Sequence, residues 1–539
     1  MAQEDRSSLN KTSMATSQPL LSMLSGEPGG WRRPTQTALM GGLPCGSSYP
    51  IRCMGHIKGP LGSTAQILRN IEPMMEAGCD LVSIEIAGLE DLTMMREVQA
   101  TLEQKGVFLP LFIDVGQDPS LAWAAAEIGD GVRLSPVTLG QDKSSATSDH
   151  STNWKPRLLQ LVDHCHRLEK SVLLQISDAD WSDVQGTETS SPVELIDYAT
   201  CCIELCRQAG HLDFMVSVET RVPILTIQVI RLLAEHLDQL ARPVPLHLID
   251  RQPKRGELGR LRAAAHLGAL LLEGIGDCIE IDLAEDPEHE IEACRRLLFA
   301  QHHFACLGEL IQPQISSAAQ RVVHHPYCCA QPLRRVIPID PLCLRYHDHL
   351  VAALGEPSLA DNPPSGTPSC HKLGDCLVWV TTPPLHEEEQ KGLSWLRSSL
   401  KLGTICPADS DQLIGDLPLV PLSHLVHQAP LGPYAVLIDE LDPDLWQHML
   451  RSHPQLILFQ PDHLRILGTR ALASWCYLYR MTAPIILAFE YDAPYRDALM
   501  QMGMELGPLL MDGAADGLAL LGPYDPYMLS RISQELLWE

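Results

Sequence analysis

The sequence is short of several things, and each shortage removes a class of function. No apolar run reaches the ~18 residues that a membrane-crossing helix needs, so no membrane partner is expected. Cations are scarce: 40 Lys and Arg stand against 67 Asp and Glu, a formal net charge of −27. A surface of that sign repels nucleic acid as well as anionic lipid. The chain holds 17 cysteines, yet no two have the Cys-x-x-Cys spacing that marks many zinc and redox sites. The N-terminus carries Glu4 and Asp5 and lacks the apolar core of a secretory signal. Reduced thiols in a cytoplasmic protein are therefore expected. Gly41, Gly42 and Gly46 do not have phosphate-loop spacing. No metal site is expected either. Cys201, Cys202 and Cys206 share one predicted helix, Cys328 and Cys329 are adjacent, and the pairs His302-His303 and His324-His325 have no acidic or Cys partner at ligand spacing.

Apolar residues, by contrast, make up 45% of the 539 residues, ample for two or three domain cores. The stretch His266 to Leu283 shows how they are used. It reads as the end of an apolar helix, a turn at Gly274 and Gly276, and a strand in which Ile279, Ile281 and Leu283 alternate with Glu280 and Asp282. The same joint returns between Glu505 and Gly522 without a gap. Leu267-Gly268 answers to Leu506-Gly507, Glu273-Gly274 to Asp512-Gly513, Asp277 to Asp516, and Ile279 and Ile281 to Leu518 and Leu520. Two α/β bodies of related architecture are expected.

Residues 1–33 are rich in Ser, Gly and Pro without periodicity and are expected to be a disordered tail. From 34 to 303 strands and helices alternate. Strands are expected at Cys79–Ile86, Phe108–Val115, Val132–Leu134, Val172–Ile176, Asp213–Val218 and Pro245–Ile249. Helices intervene, among them Pro192–Gln208 and Val222–Leu240. About eight such units over ~250 residues predict a TIM-type (β/α)₈ barrel, with a doubly wound open sheet as the alternative. Residues 304–375 lose the alternation and are expected to be an irregular linker, with its clearest Pro-rich stretch at Asp361 to Ser369. From 376 to 539 the alternation resumes, predicting a second, barrel-like α/β domain.

The first joint and its flanks resemble the IspG (GcpE) family of 4-hydroxy-3-methylbut-2-enyl diphosphate synthases. The resemblance is carried by Tyr49-Pro-Ile-Arg, Ala77-Gly-Cys-Asp-Leu-Val, Phe214-Met-Val-Ser-Val, Pro245-Leu-His-Leu, Leu270-Leu-Leu-Glu-Gly-Ile-Gly-Asp and Glu285-Asp-Pro-Glu-His-Glu-Ile. The second joint, Leu509-Leu-Met-Asp-Gly, resembles the extra middle domain of the large form of that family. The resemblance implies a TIM barrel that binds a cyclic diphosphate. It also implies a four-iron–four-sulfur cluster on a further C-terminal domain, whose Cys-Pro-x-Cys motif this sequence does not contain. The chain itself is therefore expected to hold no cofactor, and a separate iron–sulfur protein becomes an expected partner.

The family's site pattern is only partly matched. Its Ser-x-Lys-Ala-Ser stands here as Ser217-Val-Glu219-Thr-Arg, an anion in place of a cation. Its Thr-Glu-Ala-Gly becomes Arg251-Gln252-Pro-Lys254, so Gln252 occupies the acid/base Glu position and no catalytic residue is assigned. Its Asp-Ile-His-Phe becomes Asp114-Val-Gly-Gln, and its Arg-Val-Asn-Pro becomes Arg133-Leu-Ser-Pro. Arg52, Asp114 and Arg133 are retained and, with Arg260 and Arg262 from the one basic cluster, are the candidate residues for a small anionic ligand. The expected role is nominally the reductive ring-opening of 2-C-methyl-D-erythritol 2,4-cyclodiphosphate, with this chain inactive alone. A non-catalytic binding or scaffold paralogue and one half of a split synthase are the alternatives.

Overall fold

The structure is a computed structural model. It describes residues 32–537 apart from 117, 141–153, 186–190, 252–255, 309–333, 346–375, 384–385, 401–402, 409–416, 428–429 and 431. The chain divides in the main into two compact units, one running through Cys306 and one from Gln314 onward.

The first unit opens with a hairpin, β1 (Ala38–Met40) and β2 (Leu43–Cys45), followed by eight parallel strands. These are β3 (Arg52–Ile57), β4 (Leu81–Glu85), β5 (Leu111–Asp114), β6 (Gly131–Leu134), β7 (Ser171–Ser177), β8 (Phe214–Glu219), β9 (Leu246–Arg251) and β10 (Cys278–Asp282). They close into one barrel, β10 pairing with β3, so the barrel reading holds and the open sheet does not. Met54, Leu81, Phe112, Leu173, Met215 and Cys278 pack with Ala38, Met40 and Cys45 of the hairpin into one apolar cluster. The cluster involves the starts of the strands, so the hairpin stoppers that end. The helices form where the sequence supplies their ends: Pro192–Gln208 begins on a Ser191 capping box with Pro192 in its first turn, the arrangement that satisfies the first backbone donors.

The second unit is also a closed eight-stranded parallel barrel: β11 (Arg334–Ile339), β12 (Cys376–Val380), β13 (Gly403–Pro407), β14 (Leu417–Pro421), β15 (Ala435–Ile438), β16 (Leu456–Phe459), β17 (Ile485–Leu487) and β18 (Gly517–Leu518). Its first strand lies inside the segment expected to be an irregular linker. That segment otherwise falls outside the described residues, except for the end of the helix Pro287–Cys306, residues 307–308 and the turn Asp340–Arg345. Arg334–Ile339 carries the ladder to β12 over five residue pairs. Its run Val-Ile-Pro-Ile is short and broken by Pro338, which hides the strand pattern.

Both joints are built alike. Asp277 N–H donates to the Leu246 carbonyl and Leu246 N–H returns to the Asp277 carboxylate, both at 2.9 Å. Asp516 and Ile485 repeat the exchange at 2.8 Å in each direction. The ion pair Arg231–Glu273 at 2.8 Å is answered by Arg470–Asp512 at 2.7 Å. Gly274 and Gly513 take φ of +73° and +68°, the left-handed turn that the helix end requires. Arg32 and Arg33, placed by the sequence in a disordered tail, are buried instead. Arg32 bonds the Asp277 carboxylate, and Arg33 N–H donates to the Gly274 carbonyl. Residues 1–31 lie outside the described residues.

Candidate active site in the first barrel

Above the apolar layer, the inward positions of the first barrel become polar toward the C-terminal ends of the strands, where barrel sites are built. Arg133 on β6 is the hub. Its guanidinium lies 2.7 Å from Glu280 Oε2 on β10 and 3.3 Å from Asp114 Oδ2 on β5, and donates to Gln175 Oε1 on β7 at 3.2 Å. Arg133 and Glu280 are each 1% exposed. Two histidines flank the same carboxylate. His56 Nδ1 lies 3.6 Å from Glu280 Oε1, and His247 Nε2 lies 3.5 Å from Glu280 Oε2. His247 Nδ1 is 3.2 Å from the Ser217 hydroxyl.

The protonation states follow from burial and partners. Burial disfavours the charged form of both His56 and His247, and although Glu280 pulls the other way their pKa values fall below the ordinary range. Both are neutral at pH 7. Burial alone would raise Glu280, but the charge of Arg133 holds its pKa well below the usual carboxylate range. Burial would lower Arg133, but Glu280 and Asp114 raise it, so its charge is fixed.

At the rim the pattern continues. Glu219, the anion standing where the family pattern has a cation, is 2.9 Å from Arg251 and accepts from Gln175 at 2.8 Å. Burial raises its pKa, with Arg251 opposing. Lys58 pairs with Asp282 at 2.6 Å. Arg260 forks onto Glu285 at 3.0 and 2.8 Å, a bidentate geometry in which its charge is met by a carboxylate of its own chain. Among the described residues the mouth cluster therefore sets four carboxylates (Asp114, Glu219, Glu280, Asp282) against three cations (Lys58, Arg133, Arg251).

Of the residues singled out in the sequence, Asp114 and Arg133 do come together. Arg52 does not join them. It is the first residue of β3, its ladder partner is Cys278 at the start of β10, and its guanidinium donates to the Pro44 carbonyl at 3.0 Å. It braces the closed end, opposite to the mouth, because a retained Arg next to a strand says nothing about which end it occupies. Arg260 and Arg262 lie on the helix Gly256–Leu271, and two residues apart on a helix they do not share a face. Gln252, with Lys254 and Arg255, lies outside the described residues. His56, Gln175, His247 and Glu280 were missed as a set. The signal was the alternation Ile279-Glu280-Ile281-Asp282, whose polar face looks into the barrel rather than to solvent.

Several buried atoms of this lumen have no hydrogen-bond partner: both ring nitrogens of His56, Nε2 of His247, Nη2 of Arg133, Oε1 of Glu280 and the Ser83 hydroxyl. Such groups are costly when dry and mark where water or a polar ligand enters. Among the described residues, by contrast, no three cysteines converge on one point, as an iron–sulfur cluster on Cys ligands requires. Burial pushes Cys45, Cys79 and Cys165 up to about 12 and Cys202, Cys278 and Cys294 well above the ordinary range. Among the described residues the one convergence of three metal-ligating groups is Asp286, Glu288 and His289, with no sulfur. No described helix is long and apolar enough to cross a membrane.

The comparisons with known proteins bear on this same region. The family model described as the GcpE TIM-barrel domain matches residues 35–295. A 4-hydroxy-3-methylbut-2-en-1-yl diphosphate synthase (flavodoxin) of Protochlamydia amoebophila is 25% identical, aligned over 94% of this chain and 81% of its own length. The protein of the same description from Bacteroides fragilis is 24% identical over 91% of this chain and 77% of its own. The chloroplastic ferredoxin-type synthase of Oryza sativa is 28% identical, but over only 52% of this chain and 39% of its own length. With the joint, the closed barrel and these alignments in agreement, the first barrel is the part of the chain that matches the GcpE family's TIM-barrel domain.

Proposed function

We propose that this chain is a GcpE-family barrel whose diphosphate site is closed from within. By itself it does not carry out the reductive ring-opening of 2-C-methyl-D-erythritol 2,4-cyclodiphosphate to 4-hydroxy-3-methylbut-2-enyl diphosphate, and it serves as a binding or scaffold paralogue. The observation that carries this reading is the pairing of the mouth cations: Arg133 between Glu280 and Asp114, Arg251 on Glu219 and Lys58 on Asp282. A diphosphate entering there would have to displace carboxylates from their own partners, in a cluster whose described residues carry one more anion than cations.

The test is calorimetry with the cyclic diphosphate on the parent and on Glu219→Lys. The parent is expected to bind weakly or not at all. The substitution removes an anion, adds a cation and releases Arg251. A charge-assisted contact contributes roughly 1.5–3 kcal/mol, and relief of repulsion adds on the order of 1 kcal/mol, so binding should tighten by about two to three decades. Tight binding by the parent, or no gain in the variant, sinks the proposal.

The split-synthase reading is the second one, and the alignment of the Protochlamydia synthase along 94% of this chain favours it. In that case a separate iron–sulfur protein supplies the two electrons, because among the described residues no three cysteines converge to hold a cluster. Turnover that appears only when such a protein is added would support it over the scaffold reading.

A further inference from the structure

The two barrels close on equivalent seams, and the second one leaves a gap. In the first barrel β10 meets β3 through Cys278↔Arg52 and Ile279↔Cys53; in the second, β18 meets β11 through Gly517↔Arg334 and Leu518↔Arg335. Counting along from those pairs, His56 and Glu280 correspond to Pro338 and Ala519, and Lys58 and Asp282 to Asp340 and Leu521. The large polar pairs that span the first seam, at 3.6 and 2.6 Å, are thus replaced by residue pairs whose side chains cannot bond each other across it. Beyond Leu518 the chain keeps its bonds to the β17 side, Ala519 N–H to the Leu487 carbonyl and Leu521 N–H to the Phe489 carbonyl. Pro338 offers no N–H to the opening seam, a position a proline tolerates only at an unpaired strand edge.

A cavity of about 160 Å³ fills this gap between β11, residues 520–524 and the helix Pro526–Leu537. A dry cavity of about 150 Å³ suffices for benzene. Its rim is fixed. Gly522 has φ +148°, and a Cβ there would lie 2.3 Å from the Tyr491 carbonyl oxygen and 2.8 Å from the Tyr524 ring. Tyr524 in turn donates to the Ala493 carbonyl.

The helix face over the cavity has changed character. Pro526 follows the second joint as Pro287 follows the first, so Leu529, Ser530 and Ser533 stand where the first barrel has Glu290, Ile291 and Cys294. Two fully buried side chains, Ile291 and Cys294, have become hydroxyls that are 4% and 3% exposed. Ser530 accepts from Arg335 at 3.1 Å. Ser533 lines the cavity with no side-chain hydrogen bond to any described residue. Three residues apart, the two serines share one face of the helix.

We propose that the seam of the second barrel is a binding pocket for a small neutral molecule. Its ligand has an apolar body of about six to ten non-hydrogen atoms and one hydroxyl, which bonds Ser533. Leu520, Leu521 and Leu529 supply the apolar wall. Arg335 and Asp340, one of each sign, line the same pocket, so it carries no net charge to select an ion.

Saturation-transfer NMR titrations of benzyl alcohol and toluene against the full chain test the assignment. The parent should bind benzyl alcohol saturably and in preference to toluene. Ser533→Phe fills the cavity and should weaken both by about tenfold or more. Ser533→Ala keeps the space and should weaken only the alcohol, by several fold. If Ser533→Phe fails to fold by circular dichroism, the Ser533→Ala comparison decides. No saturable binding by the parent, unchanged binding in Ser533→Phe, or an unchanged alcohol preference in Ser533→Ala each overturns the proposal.

Discussion

The two barrels share a joint and a closure but have opposite interiors. In the first, inward positions of β9 and β10 hold His247 and Glu280; in the second, the corresponding residues are Ile486 and Ala519, and the inward cluster of Val336, Trp379, Ile405, Leu419, Leu458 and Ile486 is apolar. The joint that closes each barrel is kept to the level of single hydrogen bonds, because the backbone geometry of a helix-to-strand turn does not depend on what the lumen holds. The lumen is where the two have diverged: one is an interlocked charge network, the other a packed core with a pocket at its seam. Among the described residues the buried charge network of a lumen lies in the first. An apolar ligand is better accommodated by the second.

The sharpest way to break this contrast is Glu280→Ala. It leaves Arg133 buried, with only the more distant Asp114 opposite, and loss of one partner of a buried pair costs about 3–5 kcal/mol. Hydrogen-exchange mass spectrometry in urea should show the first barrel destabilised and peptides of the second unchanged. A double replacement, Arg133→Met with Glu280→Leu, should recover most of the loss. If Glu280→Ala is neutral, the charge network is not what holds the first lumen.

A second contrast lies at Glu290 and its counterpart Leu529. Burial raises the Glu290 carboxyl from 4.5 to about 7, with Asp282 pushing the same way and Leu283 N–H and Lys58 opposing. Its folded value is above its unfolded value, so the folded state binds the extra proton. The first barrel should then lose stability as pH rises from about 4.5 to 7, by up to roughly 3 kcal/mol at about 1.4 kcal/mol per pH unit. Glu290→Gln should flatten that part of the profile, measured by urea midpoints between about pH 4.5 and 8. An unchanged slope would show that another group carries it.

The smallest expected effect tests the shared joint. Asp277→Ala and Asp516→Ala each orphan a strand N–H, of Leu246 and Ile485, at about 1–3 kcal/mol. Each loss should be confined to its own barrel. Asp277 also holds Arg32 and accepts from Thr35 at 3.0 Å, so the first substitution should cost more. Equal losses would show that the N-terminal clasp contributes nothing.

Sequence alone determined the repeated joint, the alternation of strands and helices and the first barrel, because these depend on local periodicity and on glycines at fixed turns. It also picked out Asp114 and Arg133, whose neighbours Val115 and Leu134 mark strand ends. It could not place Arg52, since a strand's register decides which end of the barrel a side chain reaches. It hid β11, where Pro338 interrupts the run that would announce a strand. Above all, it could not join His56, Arg133, His247 and Glu280, which come from four strands far apart along the chain. Only barrel closure brings β10 beside β3 and turns a period-2 alternation inward. That same closure determines that the cations of the mouth meet carboxylates of their own chain before they meet a ligand.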